Sequence, residues 1–335
     1  MIDIVDLFNA CLYIQDHLDA DLSLLFLAQT VGLSRFRFHR VFKAWRGETL
    51  HDFVTRMRME RAAFELRYPI PRSSRRSIKA IAFASGYKSL SSFSHAFSSY
   101  SQLSPREFRN RALRGKAEAT SGLDTVNPFG PFSVSVAILP ERQIAILDPA
   151  TVPRAGMSLA SLARLSESVG VSGDRYGVEL LPNLLARSRA EGPLMTKVTR
   201  LGCVGVELDN WLESARRTRH DRSAPRTSIR IGAGRYAVLE GTGSLASIYR
   251  AWRRGFDEWL AASGECPKPE RLYVRFSRAS EEGSASRTIA LFIPLEDLPD
   301  VSARATRPRA RVEKVGPVPM VAPFTEGLKR SLLTQ

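Results

Sequence analysis

The stretch LAQTVGLSRFRFHRVFKAW, Leu27 to Trp45, is echoed by IAFASGYKSLSSFSHAFSSY, Ile81 to Tyr100, and this repeat limits the possible folds more than any other feature. Leu24, Leu27, Ala28 and Gly32 match Ile78, Ile81, Ala82 and Gly86 at an offset of 54. Phe38, Val41, Phe42 and Trp45 match Phe93, Ala96, Phe97 and Tyr100 at 55, so one residue is inserted in the second turn. The spacing i, i+3, i+4, i+7 is that of a helix with one apolar stripe. Each copy is therefore a short apolar helix, a turn containing glycine and a second amphipathic helix, the pattern of a helix-turn-helix. Glycine suits the turn because it accepts positive φ without a Cβ clash.

Between the copies, TLHDFVTRMRMERAAFELRYP offers Thr49 as N-cap, Leu50, Phe53, Val54 and Met57 at helical spacing, and Pro69 and Pro71 as stops. One linking helix of about 18 residues would span about 27 Å, comparable to the ~34 Å between successive major grooves on one face of DNA. LSPREFRNR closes the unit, with Ser104 as cap and Pro105 at the first helical position. Periodicity fades over 117–128, which reads as a linker. Beyond it, FSVSVAILPERQIAIL, MTKVTRLGCVGVEL, RTSIRIGAGRYAVLEG, ERLYVRFS and RTIALFIPLE read as strands, separated by helix candidates SLASLARLSESVG and SLASIYRAWRRGFDEWLAASG. The expected architecture is multidomain. An all-α N-terminal domain (1–116) carries two helix-turn-helix motifs joined by a linking helix. An α+β ligand-binding domain with an antiparallel sheet follows (129–300), then a flexible, basic, Pro-rich tail (301–335).

The chain has 335 residues, 44% of them hydrophobic, enough for two cores. Its formal charge of +15 calls for a polyanionic partner, nucleic acid before anionic membrane. No apolar run is long enough to span a bilayer and the N-terminus is acidic rather than basic, so a soluble, cytoplasmic protein is expected. Cys11, Cys203 and Cys266 are far apart and lack the spacing of a zinc site, which argues against a zinc deaminase or a cysteine-dependent alkyltransferase. No metal or cofactor is expected.

Opposite the first apolar stripe lie Phe36, His39, Arg40 and Lys43, flanked by Arg35, Arg37 and Arg46; the equivalent positions in the second copy are Ser91, Ser94, His95 and Ser98. Neither face carries an acidic residue, and residues 1–116 hold 19 Lys and Arg against 10 Asp and Glu. Arginine can bond bidentately to guanine, histidine and serine can bond base edges, and Phe can touch a thymine methyl. Base reading is therefore assigned to Phe36, Arg37, His39, Arg40, Ser91, Ser94 and His95. Phosphate neutralisation is assigned to Arg35, Lys43, Arg46 and Lys88, with Ser34 either bonding a phosphate or capping its helix. The serine-rich second helix should add less affinity than the first.

These segments, with RMERAAFEL and IKAIAFASGYKSLSSFSHAFSSYSQLSPREFR, resemble the two-motif DNA-binding domain of AraC/XylS-type bacterial transcription regulators over about Leu7 to Arg114. By position, the resemblance implies base readers at Phe36, His39 and Arg40 and at Leu90, Ser91 and His95, double-stranded DNA as partner and RNA polymerase as a further candidate. Gln102 stands where the family usually has Gly, Ser98 where it usually has Lys, and RYPIPRSSRRS is longer and more basic than usual. Arg75 and Arg76 in that insert are assigned to phosphate contact.

IGAGRYAVLEGTGSLASIYRAWRRGFDEWLAASGE, PERLYVRF and IALFIPLE resemble the gyrase-inhibitor-like (GyrI-like) effector-binding domain. The resemblance implies a small-molecule effector held between two pseudo-symmetric halves. Pocket residues are expected to be Tyr236, Trp252, Tyr273 and Phe276, with Glu240 or Glu270 as polar contacts. Strand alternation puts Arg271 with Tyr273 and Glu270 with Leu272. Arg271 in the pocket would favour a neutral or anionic ligand, Glu270 a cationic one. Glu179 and Glu207 read as surface carboxylates and His220 as part of a charged loop. The function expected is a non-enzymatic, sequence-specific transcription regulator; the alternative is a DNA-binding domain fused to a hydrolase-like domain, for which Glu240 would have to serve as base.

Overall fold

A computed structural model describes residues 4–68, 76–121, 129–146, 174–179, 202–217, 227–243, 245–276 and 288–297. The chain divides into Met1–Asp297 and Leu298–Gln335. The expected tail, the helix SLASLARLSESVG and the His220 loop lie outside the described residues.

Seven helices come first: α1 (Ile4–Asp16), α2 (Leu24–Thr30), α3 (Arg35–Arg46), α4 (Leu50–Arg67), α5 (Ile78–Ala84), α6 (Leu90–Ser101) and α7 (Pro105–Ser121). Ser23, Ser34, Thr49, Ser77 and Ser89 cap α2 to α6, each hydroxyl accepting from the amide three residues on. Each such cap is worth about 1 kcal/mol. At α7 the cap is reciprocal: Ser104 Oγ accepts from Glu107 N at 3.2 Å, and Glu107 Oε2 accepts from Ser104 N at 2.9 Å. This hydrogen bonding holds the Glu107 carboxyl below the usual range. Helix α7 continues to Ser121, past Lys116, where the sequence suggested a linker. ALRGKAEA is rich in strong helix formers, and apolar periodicity is not needed to extend a helix already nucleated.

The two helix-turn-helix units are α2–α3 and α5–α6. Their turns pass through Gly32 and Gly86 at φ 67° and 76°. At Gly86 a Cβ would lie 2.5 Å from Leu18 O and 2.6 Å from an Arg58 nitrogen, so glycine is required there for space as well as conformation. Arg58 also donates to Leu18 O at 2.8 Å and Ala20 O at 2.9 Å, tying α4 to the α1–α2 loop.

The strands are β1 (Ser133–Leu139), β2 (Arg142–Ile146), β3 (Arg175–Glu179), β4 (Gly202–Glu207), β5 (Ser228–Ile231), β6 (Gly234–Thr242), β7 (Leu272–Phe276) and β8 (Thr288–Leu295), with helices α8 (Leu208–Arg217) and α9 (Leu245–Ser263). They form one antiparallel sheet in the order β1-β6-β8-β7-β3-β4-β2-β5. The expected α+β character with an antiparallel sheet is present; β3 was not foreseen.

Register fixes which residues share a face. Ala237, Leu239, Leu272, Val274, Phe276, Ile289, Leu291 and Ile293 join Ile248, Trp252, Phe256 and Leu260 of α9 in one apolar cluster, which also takes Phe64 and Tyr68 from the end of α4. The opposite face carries Tyr176, Tyr236, Val238, Tyr273 and Phe292, in a cluster continuous with the core of the first helix-turn-helix. A third cluster, built on Met59, Ala62, Ala63, Leu66, Phe93, Phe97 and Phe108, underlies the second. Helix α4 thus feeds all three.

Candidate nucleic-acid interface and sensor cavity

On α3 the buried side is Phe38, Phe42 and Trp45, as the stripe predicts, and the outward side exposes Arg35, Phe36, Arg37, Arg40 and Lys43, with His39 half-buried. Phe36 is 74% exposed, and the Arg35 guanidinium sits 4.9 Å from its ring. An aromatic left so open, on a helix with good apolar burial behind it, is available to a partner. On α6, Phe93 and Phe97 are buried, while Leu90, Ser91 and His95 are exposed and Ser94 is half-buried. Lys88 is exposed one residue before the cap Ser89. Ser34 is exposed, and its hydroxyl accepts from Arg37 N at 3.4 Å, so it caps α3.

Arg46 is a correction. It is 1% exposed, its guanidinium lies 5.5 Å from the Trp45 ring and 5.4 Å from the Phe53 ring, and it pairs with Glu48 at 3.6 Å. A side chain enclosed this way cannot reach a phosphate. Burial draws its pKa down from the usual guanidinium value. Arg75 lies outside the described residues. Arg76 Nη1 donates to Glu65 Oε2 at 3.1 Å, and its carbonyl accepts from Arg109 at 3.1 Å.

Arg46 opens a network that sequence reasoning missed. Glu48 also accepts from Arg56 at 2.7 and 3.2 Å, Arg56 donates to Glu60 at 3.1 Å, and Tyr100 reaches Glu60 at 3.5 Å. The chain of charges runs from the end of α3, along α4, to the end of α6. Burial pushes the Glu60 carboxyl up, opposed by Arg56. Such a paired network is costly to break from one side and favours a unique arrangement of the helices it joins.

A cavity of about 490 Å³ opens where α1 and α4 meet the sheet. It gathers Tyr236, Glu270, Arg271 and Tyr273 from the expected pocket set. It does not gather Trp252 and Phe276, which lie in the apolar layer under α9 on the other face of the sheet, or Glu240, which accepts from Arg275 at 2.9 Å. Trp252 and Phe276 are therefore core, because Phe276 shares the parity of Leu272 and Val274 and not of Tyr273. Both Glu270 and Arg271 line the cavity. Strand β7 begins at Leu272, so alternation does not govern the two residues before it. Arg271 turns to α1, donating to Gln15 Oε1 at 2.9 Å and Asp16 Oδ1 at 2.5 Å.

Glu207 also departs from expectation. It is part of a cluster with Arg142, which it pairs with, and Tyr176, whose hydroxyl lies 3.0 Å away and accepts from Arg142 at 2.9 Å. These residues stand on the sheet face that holds Tyr236 and Tyr273. The Tyr273 ring is 6.3 Å from Tyr176, 5.6 Å from Tyr236 and stacked on Phe292 at 4.3 Å. Burial pushes the Tyr176 and Tyr236 phenols up to about 12.

The helical part and the sheet are joined at several points. Arg67 Nη2 donates to Asp257 Oδ2 and the Tyr68 hydroxyl to Asp257 Oδ1, both at 2.9 Å; the Tyr68 and Phe256 rings are 6.0 Å apart. Thr227 Oγ1 donates to Asn9 Oδ1 at 3.3 Å. Among the described residues there is no cluster of three or more His, Cys, Asp or Glu that could hold a metal ion, and no helix is long and apolar enough to cross a membrane. Cys11 and Cys266 are buried thiols outside any disulfide, and burial raises the pKa of Cys11 to about 12.

A family model described as a helix-turn-helix domain matches residues 27–111. An uncharacterized HTH-type transcriptional regulator of Haemophilus influenzae is 37% identical over 83 residues, 25% of this chain and 26% of that protein. The chain thus spans about a quarter of that relative's length. The regulatory protein SoxS of Escherichia coli K12 is 31% identical over 99 residues, 30% of this chain and 88% of SoxS. A crystal structure from Chromobacterium violaceum, described as a transcriptional regulator of the AraC-type DNA-binding domain-containing proteins, is 27% identical, covering 32% of this chain and 91% of that one, with a TM-score of 0.29.

Proposed function

The chain belongs to the AraC-type helix-turn-helix regulators, and from that premise we propose that it binds specific double-stranded DNA sites through α3 and α6 and answers to a small molecule taken up beside its sheet. The observation that carries the first part is the pair of capped helices, each buried on one side and free of carboxylates on the other, braced by a single 18-residue helix. That helix is about 27 Å long, so the two readers fit successive major grooves. Phe36, Arg37, His39 and Arg40 of α3 and Leu90, Ser91, Ser94 and His95 of α6 read base edges; Ser34, Arg35, Lys43 and Lys88 face the backbone. The more highly charged first helix supplies most of the affinity. As a regulator acting on a bacterial chromosome, the protein works in the cytoplasm.

The second part rests on the cavity that collects Tyr236, Glu270, Arg271 and Tyr273, whose volume of about 490 Å³ falls within the ~300–1,000 Å³ typical of small-molecule sites. The gyrase-inhibitor-like resemblance points to the same role for the sheet.

Selection of bound fragments from a random duplex library at physiological salt tests the DNA reading. The expected product is a discrete site with two half-elements about 10 base pairs apart, preferred at least ~10³-fold over random duplex. Arg40→Ala should weaken that site by about 1–3 kcal/mol and relax one position. Uniform binding with a steep salt dependence would overturn the proposal, and equal losses on selected and random DNA would reduce Arg40 to a phosphate contact.

A further inference from the structure

We infer that the α1–α2 loop, Arg58 of α4 and Gly86 form a fixed joint between the two DNA readers, and that this joint selects the spacing of the half-elements in the bound site. This rests on the reading that α3 and α6 enter successive grooves; the residues that hold their separation, none of which touches DNA in that reading, are new. The repeat itself exposes the joint. Gly32 and Gly86 are equivalent in the two copies and share positive φ, at 67° and 76°. Their surroundings differ. A Cβ at Gly32 would meet nothing within 4 Å among the described residues, whereas one at Gly86 would lie 2.5 Å from Leu18 O and 2.6 Å from an Arg58 nitrogen. The second turn is therefore seated against the first unit, and Arg58 closes the seat by donating to Leu18 O at 2.8 Å and Ala20 O at 2.9 Å.

Each part of the joint is anchored in one reader. Leu18 is fully buried in the cluster that holds Phe38 and Phe42 of α3. Tyr87, next to Gly86, packs on the third cluster with its ring 5.5 Å from that of Phe93 in α6. Burial draws the Arg58 guanidinium down, and Tyr87, Asp21 and Asp19 oppose this, so groups of both units act on it. A second tie runs along another side of α4. Arg56, two positions and so about 200° around the helix from Arg58, holds Glu48 at 2.7 Å and Glu60 at 3.1 Å, and Tyr100 at the end of α6 reaches Glu60. Gripped from both sides, the readers move as one body. One added base pair shifts the second half-element by about 3.4 Å and turns it by about 35°. The close packing at Gly86 leaves no slack to follow that screw motion, so a wrong spacing forfeits contacts of α6.

The test uses the full chain and duplexes that carry the selected half-elements at the selected spacing, or with one base pair added or removed between them. Wild type should lose at least ~10-fold in affinity at either wrong spacing, the equivalent of one good base contact. Arg58→Met keeps the apolar stem but drops the donors to Leu18 and Ala20, and should lose no more than about 3-fold, half of that effect in free energy. Ile81→Val, which trims the third cluster, should lower stability yet keep the wild-type ratio between spacings. Gly86→Asn should lower the melting temperature more than Gly32→Asn, because Asn accepts positive φ in both turns and meets Leu18 and Arg58 only in the second. Should Arg58→Met not fold, Arg58→Lys carries the same comparison, since an ammonium cannot hold two carbonyls in a planar fork. A wild type that selects a discrete site yet tolerates every spacing equally overturns the joint and leaves the DNA reading standing; selection of no site overturns both. An unchanged spacing ratio in the Arg58 variant, or equal effects of Asn at 32 and 86, also overturns the joint.

Discussion

Arg46→Ala separates a structural arginine from a DNA-contacting one. The side chain is 1% exposed, stacked between Trp45 and Phe53 and paired with Glu48. Truncation removes two stem methylenes, about 0.8 kcal/mol each, or about 1.6 kcal/mol of burial. Two desolvated cation–π contacts add about 2 kcal/mol. Relief of the buried guanidinium returns about 1–2 kcal/mol, and Glu48 is not orphaned because Arg56 holds it at 2.7 Å. The net expectation is a loss of about 2 kcal/mol, which lowers the urea midpoint by about 0.7 M for a slope near ~3 kcal/mol/M. Below the unfolding range, the dependence of DNA affinity on salt should match wild type, whereas loss of a phosphate contact would reduce the log–log slope by about 0.9. A variant of wild-type stability with that shallower slope would refute the buried assignment.

Three further outcomes follow from the geometry. Gln102 is the single non-glycine residue with positive φ among those described, at 60°, so Gln102→Gly should stabilise the chain by about 1 kcal/mol in thermal melts; a loss of stability would mean that the Gln102 bond to Ser99 O outweighs the backbone strain. A double-mutant cycle on Arg67→Ala and Asp257→Ala should give a coupling of about 1 kcal/mol, modest because both groups keep some solvent; additive effects would remove this pair from the join between helices and sheet. Tyr176 and Tyr236 titrate near 12 in the folded chain, above the ~10 of an exposed phenol. Because their folded pKa is raised, the stability they contribute is complete below pH ~10 and is lost as pH climbs toward 12. Phenolate absorbance should therefore rise together with loss of helical circular dichroism, and ionisation near pH 10 with the fold intact would contradict the burial.

The reader was legible because its signals are local. Caps, glycine turns and a repeated stripe occur within windows of a dozen residues, and Ser34, Thr49 and Ser104 do what their positions suggested. Arg46 was misread through its charge, although it sits at i+8 from Phe38, on the buried stripe. Trp252 and Phe276 were drawn into the pocket as aromatics, yet strand parity alone separates Phe276 from Tyr273. Other features depend on distant pairs. Arg142, Tyr176 and Glu207 meet only because β2, β3 and β4 come together in the sheet, and no local pattern marks that meeting. The same holds for the cavity, about a third of whose wall comes from α1 and α4, more than 150 residues before β7.

Helix α4 gives Phe53 and Met57 to the first apolar cluster, Ala62 and Leu66 to the third, and Phe64 to the one beneath α9. None of those clusters can loosen without stripping a side of that helix, so heat should dismantle reader and sheet in one cooperative step, with the slowest-exchanging amides between Leu50 and Arg67. A fragment cut after α7 would carry Phe64 and Tyr68 into water and lose the surface that buries them.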